Sequence, residues 1–139
     1  MHSEHLTNVQ LSWVTFGWFV AFAVTSSLLL LMVAAGLMTT SVTGEAVGVG
    51  AAVAVGWAVG GFIAGFKTAA APILHGAAMA LFTFVAWFAV NLLVGGLTTG
   101  VAAWEGLPAR VAAFALLVQG GASILGCWIG YRYAPVRVE

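Results

Sequence analysis

Lys67 and His75 stand eight positions apart in "GGFIAGFKTAAAPILHG" (60–76), in a 139-residue chain with only four basic and four acidic side chains. An imidazole near an amine could move protons, and Ser123, in a Gly121-Ala122-Ser123 triplet, could act as a nucleophile with His75 as its base. Such catalysis needs hydroxyl and imidazole within hydrogen-bond reach, beside an oxyanion site. At 1.5 Å rise per residue, Ser123 is expected roughly 12 Å from the end of its helix, while His75 lies within a turn of that same end. The pair is therefore expected not to meet. His2, Glu4 and His5 could hold a metal only from an ordered tail and are read as solvated, so no metal or cofactor is expected. The lone cysteine, Cys127, excludes an intramolecular disulfide, a CxxC redox pair and a cysteine zinc cluster. The chain is not expected to be an enzyme.

Ion pathways through membranes are marked by buried ionisable groups. The four acids are Glu4, Glu45, Glu105 and Glu139, all in predicted tails or turns, and aspartate is absent. A proton-coupled exporter of the small four-helix type would carry a buried glutamate, so that class is disfavoured. What remains is hydroxyls and amides: Thr25, Ser26, Ser27, Thr83, Asn91, Gln119 and Ser123. They are expected to bond between helices, at about 0.6–2 kcal/mol each. If Ser26, Asn91, Gln119 and Ser123 shared one face, they could instead line a path for a small neutral solute.

The elements that must position these groups are membrane spans. The chain is 63% hydrophobic and 6% charged, with mean hydropathy +1.11, against about 25% charged for a soluble domain. A water-soluble fold is excluded, and with zero net charge no polybasic field exists for nucleic acid. About 20 apolar residues cross the hydrocarbon core as a helix, which satisfies its own backbone. Four stretches qualify: 11–37, 46–66, 73–97 and 109–131. "TTSVTGE" (39–45), "KTAAAP" (67–72) and "TTGVAAWEGLPAR" (98–110) are the turns, with Pro72 and Pro108 suited to the first turn of a helix. The fold class is thus an all-α integral membrane protein with four transmembrane helices in a single domain. The N-terminal segment lacks the basic region of a signal peptide. Lys67, Arg132 and Arg137 on one side, against Arg110 on the other, favour cytoplasmic termini, and the expected location is an inner (cytoplasmic) membrane. Trp13, Trp18, Trp104, Tyr131 and Tyr133 are expected at the membrane interfaces.

A shift of 65 residues aligns "FVAF" (19–22) with "FVAW" (84–87) and "GFIAGFK" (61–67) with "GCWIGYR" (126–132). This predicts two helical hairpins, roughly 11–67 and 73–132, repeated in parallel. Lys67 and Arg132 become equivalent anchors whose long side chains snorkel to the headgroups. His75 is paired by the same shift with Gln10, so the repeat offers it no counterpart. Small residues recur every four positions at Gly44, Gly48, Ala52, Gly56, Gly60 and Ala64, then at Gly61 and Gly65, and again at Ala122, Gly126 and Gly130. Such faces let backbones approach closely. They could pack inside the monomer, or the longest row could dock on another subunit.

The stretch "GGFIAGFKTAAAPILHGAAMALF" (60–82) resembles a segment of the small bacterial four-span membrane proteins of the YrzE-like kind: Gly60, Gly61, Ala64 and Gly65 match the end of their second helix, and His75 with Gly76 the start of their third. Lys67 departs from the pattern, in which arginine commonly follows the glycine directly. The resemblance implies a four-helix integral membrane protein and carries over no activity. The expected function is a structural or accessory subunit that docks through its glycine faces onto a larger membrane complex, or onto copies of itself, amid membrane lipid. The alternative is an oligomeric channel or facilitator for a small neutral solute.

Overall fold

A computed structural model describes residues 5–38, 42–98 and 109–135. His2, Glu4, Trp104, Glu105, Pro108, Arg137 and Glu139 lie outside the described residues. After a short 3-10 turn at Leu6–Asn8, the described chain forms four α-helices: α1 (Leu11–Ala34), α2 (Val42–Thr68), α3 (Pro72–Thr98) and α4 (Ala109–Tyr133). Each is long and apolar enough to cross a membrane. Twenty-four residues of α1 at 1.5 Å each make roughly 36 Å, against a core of about 30 Å. No strand occurs among the described residues.

The helix ends follow local chemistry. α1 stops three residues short of the expected Leu37 because Gly36 takes a left-handed φ of +66°. Its N–H donates to Val33 O and that of Leu37 to Met32 O, the paired bonds of a Schellman cap. α2 starts earlier than expected, so that Glu45 falls in its first turn, where a carboxylate opposes the positive end of the helix dipole. The α2–α3 link is tight: Ala69 and Ala71 have φ of 47° and 40°, and Pro72 then opens α3. Left-handed backbone disfavours any residue with a Cβ. Here the flanking bonds hold it, with Ala69 N–H donating to Gly65 O and His75 N–H to Ala71 O.

α2 and α4 run parallel and form the most intimate seam. A Cβ on Gly65 would stand 2.7 Å from Cys127 Cα, and one on Gly61 3.0 Å from Ser123 Cα. From the other side, a Cβ on Gly126 would stand 2.9 Å from the Ala58 carbonyl carbon, and one on Gly130 2.9 Å from that of Phe62. The obstacles are all backbone, so only glycine permits this approach. α1 packs on the adjacent face of α2. A Cβ on Gly56 would meet Ala21 O at 2.7 Å, one on Gly60 would meet Ala21 Cβ at 2.8 Å, and Gly48 lies under Met32. The long glycine row, a candidate for external docking, is therefore occupied by α1 of the same chain. Glycine lowers the distance between two helices wherever they first meet, and the connected hairpin partner meets it first.

α3 joins α4 at one end, where Gly76 fits against Ile124 and Ala80 faces Gly120. The hairpins are not paired in one register. α1 and α2 meet through Gly17, Ala21, Gly56 and Gly60, whose counterparts 65 residues on are Phe82, Ala86, Gly121 and Leu125, and Gly121 has nothing within 4 Å. Phenylalanine and leucine in place of two glycines cannot form the same seam, so α3 meets α4 elsewhere. The buried core is accordingly thin and built mostly of small or slender groups, with Val14, Ala21, Ala64, Met79 and Cys127 around Trp57.

Candidate functional site

His75 is fully buried in the first turn of α3. Its Nε2 accepts the backbone N–H of Gln10 at 3.1 Å, and its Nδ1 lies 3.0 Å from Ala71 O. An imidazole that accepts at Nε2 and faces a carbonyl with Nδ1 is neutral, with its proton on Nδ1. Gln10 is the N-cap residue of α1, and its own side chain makes no capping bond. The histidine therefore ties the start of α1 to the start of α3. With both nitrogens engaged, it has no lone pair left to act as a base. The two residues are 65 positions apart, and the bond joins the imidazole of one to the backbone amide of the other.

The same geometry recurs two turns deeper. Trp18 Nε1–H donates to Thr83 Oγ1 at 3.0 Å, again across 65 residues, while the Thr83 hydroxyl donates to Met79 O. Trp18 is partly buried against the core, its ring stacked on Phe22 and edge-on to Phe82. The indole N–H needs a partner away from water, and α3 supplies one. Trp13 remains at the helix end, with Lys67 Nζ 6.0 Å from its ring centroid, and Arg132 Cζ stands 4.0 Å from that of Trp128. Both basic anchors thus lie over tryptophans at the same end of the bundle, within cation–π range.

Ser123 is fully buried, and its hydroxyl donates to Gly76 O at 2.9 Å and Gly120 O at 3.1 Å. It clamps α4 to α3 and makes no bond to His75. The candidate polar-path residues come from three helices, α1, α3 and α4. Ser123 is sealed in this seam, Asn91 donates to Trp87 O of its own helix, and Ser26 lies on α1, which packs on α2 and α3. Thr25 contacts Ala52 O from α1. Gln119 borders open space.

That space is a cleft of about 120 Å³ where α3 and α4 diverge, bounded by Thr83, Phe84 and Trp87 on α3 and by Ala112, Ala115, Leu116 and Gln119 on α4. The small residues of the seam end at Ala80 and Gly120, and the next layers carry Phe84, Trp87 and Leu116, too bulky for the backbones to meet. Within it Gln119 Oε1 is buried without a hydrogen-bond partner. Gln119 was legible as a polar residue in a span, but nothing in the local pattern marked Phe84, Trp87 and the two alanines as its surroundings.

Among the described residues, no group of three histidine, cysteine, aspartate or glutamate side chains could hold a metal ion. Fold and site together define an integral membrane protein with four apolar helices, its buried polar groups joining helix to helix. No known family model, curated protein or solved structure matches the chain.

Proposed function

We propose that this chain is a structural or accessory subunit of a membrane assembly, akin to the small bacterial four-span proteins it resembles. It sits in the inner membrane with both termini cytoplasmic, as the positions of Lys67 and Arg132 at one end favour. Its two hairpins are repeats in parallel orientation. In support, Gly61 meets Ser123 while Gly126 meets Ala58, and Gly65 meets Cys127 while Gly130 meets Phe62, so positions 65 apart exchange partners.

The observation that carries the docking role is Gly121. Gly48, Gly56, Gly60, Gly61, Gly65, Gly126 and Gly130 meet neighbours within the chain, but Gly121 lies on the outer face of α4 with nothing within 4 Å. Exposed Leu117 and Leu125 flank it one turn away on each side, leaving a notch in an apolar wall. Notches of this kind receive a side chain from a neighbouring transmembrane helix. The docking face is thus assigned to the outside of α4, with a helix of a membrane-protein partner, or of a second copy, as its occupant. The solute-facilitator reading needs Ser26, Asn91, Gln119 and Ser123 on one continuous lining; of these, Gln119 borders the α3–α4 cleft and Ser123 is bonded to Gly76 O.

The test is isolation from native membranes in mild detergent, comparing the wild type with Gly121→Leu, followed by mass spectrometry. A stoichiometric companion, or a second copy, that is lost with the leucine variant is the expected result. Recovery of the wild type only as a free monomer would sink the proposal.

A further inference from the structure

We propose that the α3–α4 cleft is a binding site for a small ring that carries one hydroxyl, a membrane-soluble phenol. Four observations converge on this class. First, the volume of about 120 Å³ is near the roughly 150 Å³ of an apolar cavity that takes up benzene. Second, the walls suit a flat apolar group: the Phe84 and Trp87 rings on α3 face small Ala112 and Ala115 on α4. Third, both aromatic residues are partly exposed on the outer surface, so the cleft opens sideways toward lipid, and a ligand dissolved in the bilayer can enter.

The fourth observation selects the polar group. Gln119 Oε1 is a buried acceptor without a donor. The Thr83 hydroxyl in the wall cannot supply one, because its proton is committed to Met79 O, and the Trp87 indole N–H makes no bond to that acceptor. One lone pair of the Thr83 hydroxyl is also occupied by Trp18 Nε1–H. An unmatched buried acceptor carries a desolvation penalty that an entering donor relieves. A phenol brings both an apolar ring of matching size and a single O–H, whereas an acyl chain brings no donor.

The experiment uses the full chain in lipid nanodiscs and fluorine NMR with 4-fluorophenol and fluorobenzene as paired probes, empty nanodiscs serving as the partition baseline. The wild type is expected to bind both saturably and to prefer the phenol by about fivefold, the return on one neutral hydrogen bond. Gln119→Leu is expected to keep ring binding and lose the preference, and Gln119→Met serves the same purpose if leucine does not fold. Ala115→Phe, which fills the cleft, is expected to abolish saturable binding of both probes. The proposal is overturned if the wild type binds neither probe above empty nanodiscs or binds the two equally, as a site for acyl chains would. It is also overturned if the phenol preference survives at Gln119→Leu, or if Ala115→Phe, shown folded by thermal unfolding, still binds 4-fluorophenol as the wild type does.

Discussion

Replacing Gly65 with alanine tests the central seam most directly. The new methyl would stand 2.7 Å from both the Cα and the carbonyl carbon of Cys127. Unstrained carbon contacts lie near 3.5–4.0 Å, so α4 must retreat by roughly 1 Å, and a gap of that size forfeits a quarter to a half of each dispersion contact it opens. No rotamer change relieves the clash, because the obstacle is backbone. The expected loss is about 1–3 kcal/mol, in the range of core overpacking. Gly121→Ala is the matched control, since a methyl there meets nothing within 4 Å, and it should stabilise by up to about 1 kcal/mol through helix propensity, a gain that Gly65→Ala shares before its clash is counted. Denaturant or thermal unfolding of the purified protein in mixed micelles reads both. Gly130→Ala, on the facing side of the same seam, should cost as much alone and less than additively with Gly65→Ala, since the first methyl has already parted the helices. A Gly65→Ala variant no less stable than Gly121→Ala would refute the close α2–α4 approach.

Other substitutions probe the polar ties and the link. His75→Leu should cost about 1–3 kcal/mol by leaving the Gln10 amide without its acceptor, and hydrogen exchange at that amide should accelerate; unchanged exchange would contradict the tie. Trp18→Phe keeps the ring contacts but removes the bond to Thr83, at about 0.6–2 kcal/mol, and a double-mutant cycle with Thr83→Val should show the two costs to be shared. Ala69→Gly should stabilise the chain by about 1 kcal/mol, because glycine adopts the left-handed φ of 47° without steric cost. Melting temperatures check the sign, and a loss of stability would count against that geometry.

The four helices were legible because crossing a membrane demands a length and an apolarity that any window of the chain reveals. Their ends were less so. Gly36 ends α1 through a pair of bonds to carbonyls, and in an apolar run a glycine looks the same whether it caps a helix or packs within one. The glycine rows were readable as close-contact faces, but their partners were not, since the spacing that admits α1 or α4 would equally admit another protein. Only the facing residues, such as Ala21 opposite Gly56 and Cys127 opposite Gly65, decide between them. His75 was legible as the open question and its answer was hidden, because its partner at Gln10 is a backbone amide, present at nearly every position of the chain. The cleft was invisible for a related reason: it arises from what α3 and α4 fail to do beyond Ala80 and Gly120, and an absence of contact leaves no motif.

The two bonds that join α1 to α3 bear on the order of assembly. The Gln10 amide and the Trp18 indole emerge from synthesis 65 residues ahead of His75 and Thr83, their acceptors. At about 5–20 residues per second, that is an interval of roughly 3–13 s. During it, α1 can already lie against α2 through Gly17, Ala21, Gly56 and Gly60, so the first hairpin forms early with two donors unmet. The arrival of the third helix supplies both acceptors together. Until then α1 is held by its contacts with α2 alone, and its two ties to α3 form only after the second hairpin begins to enter.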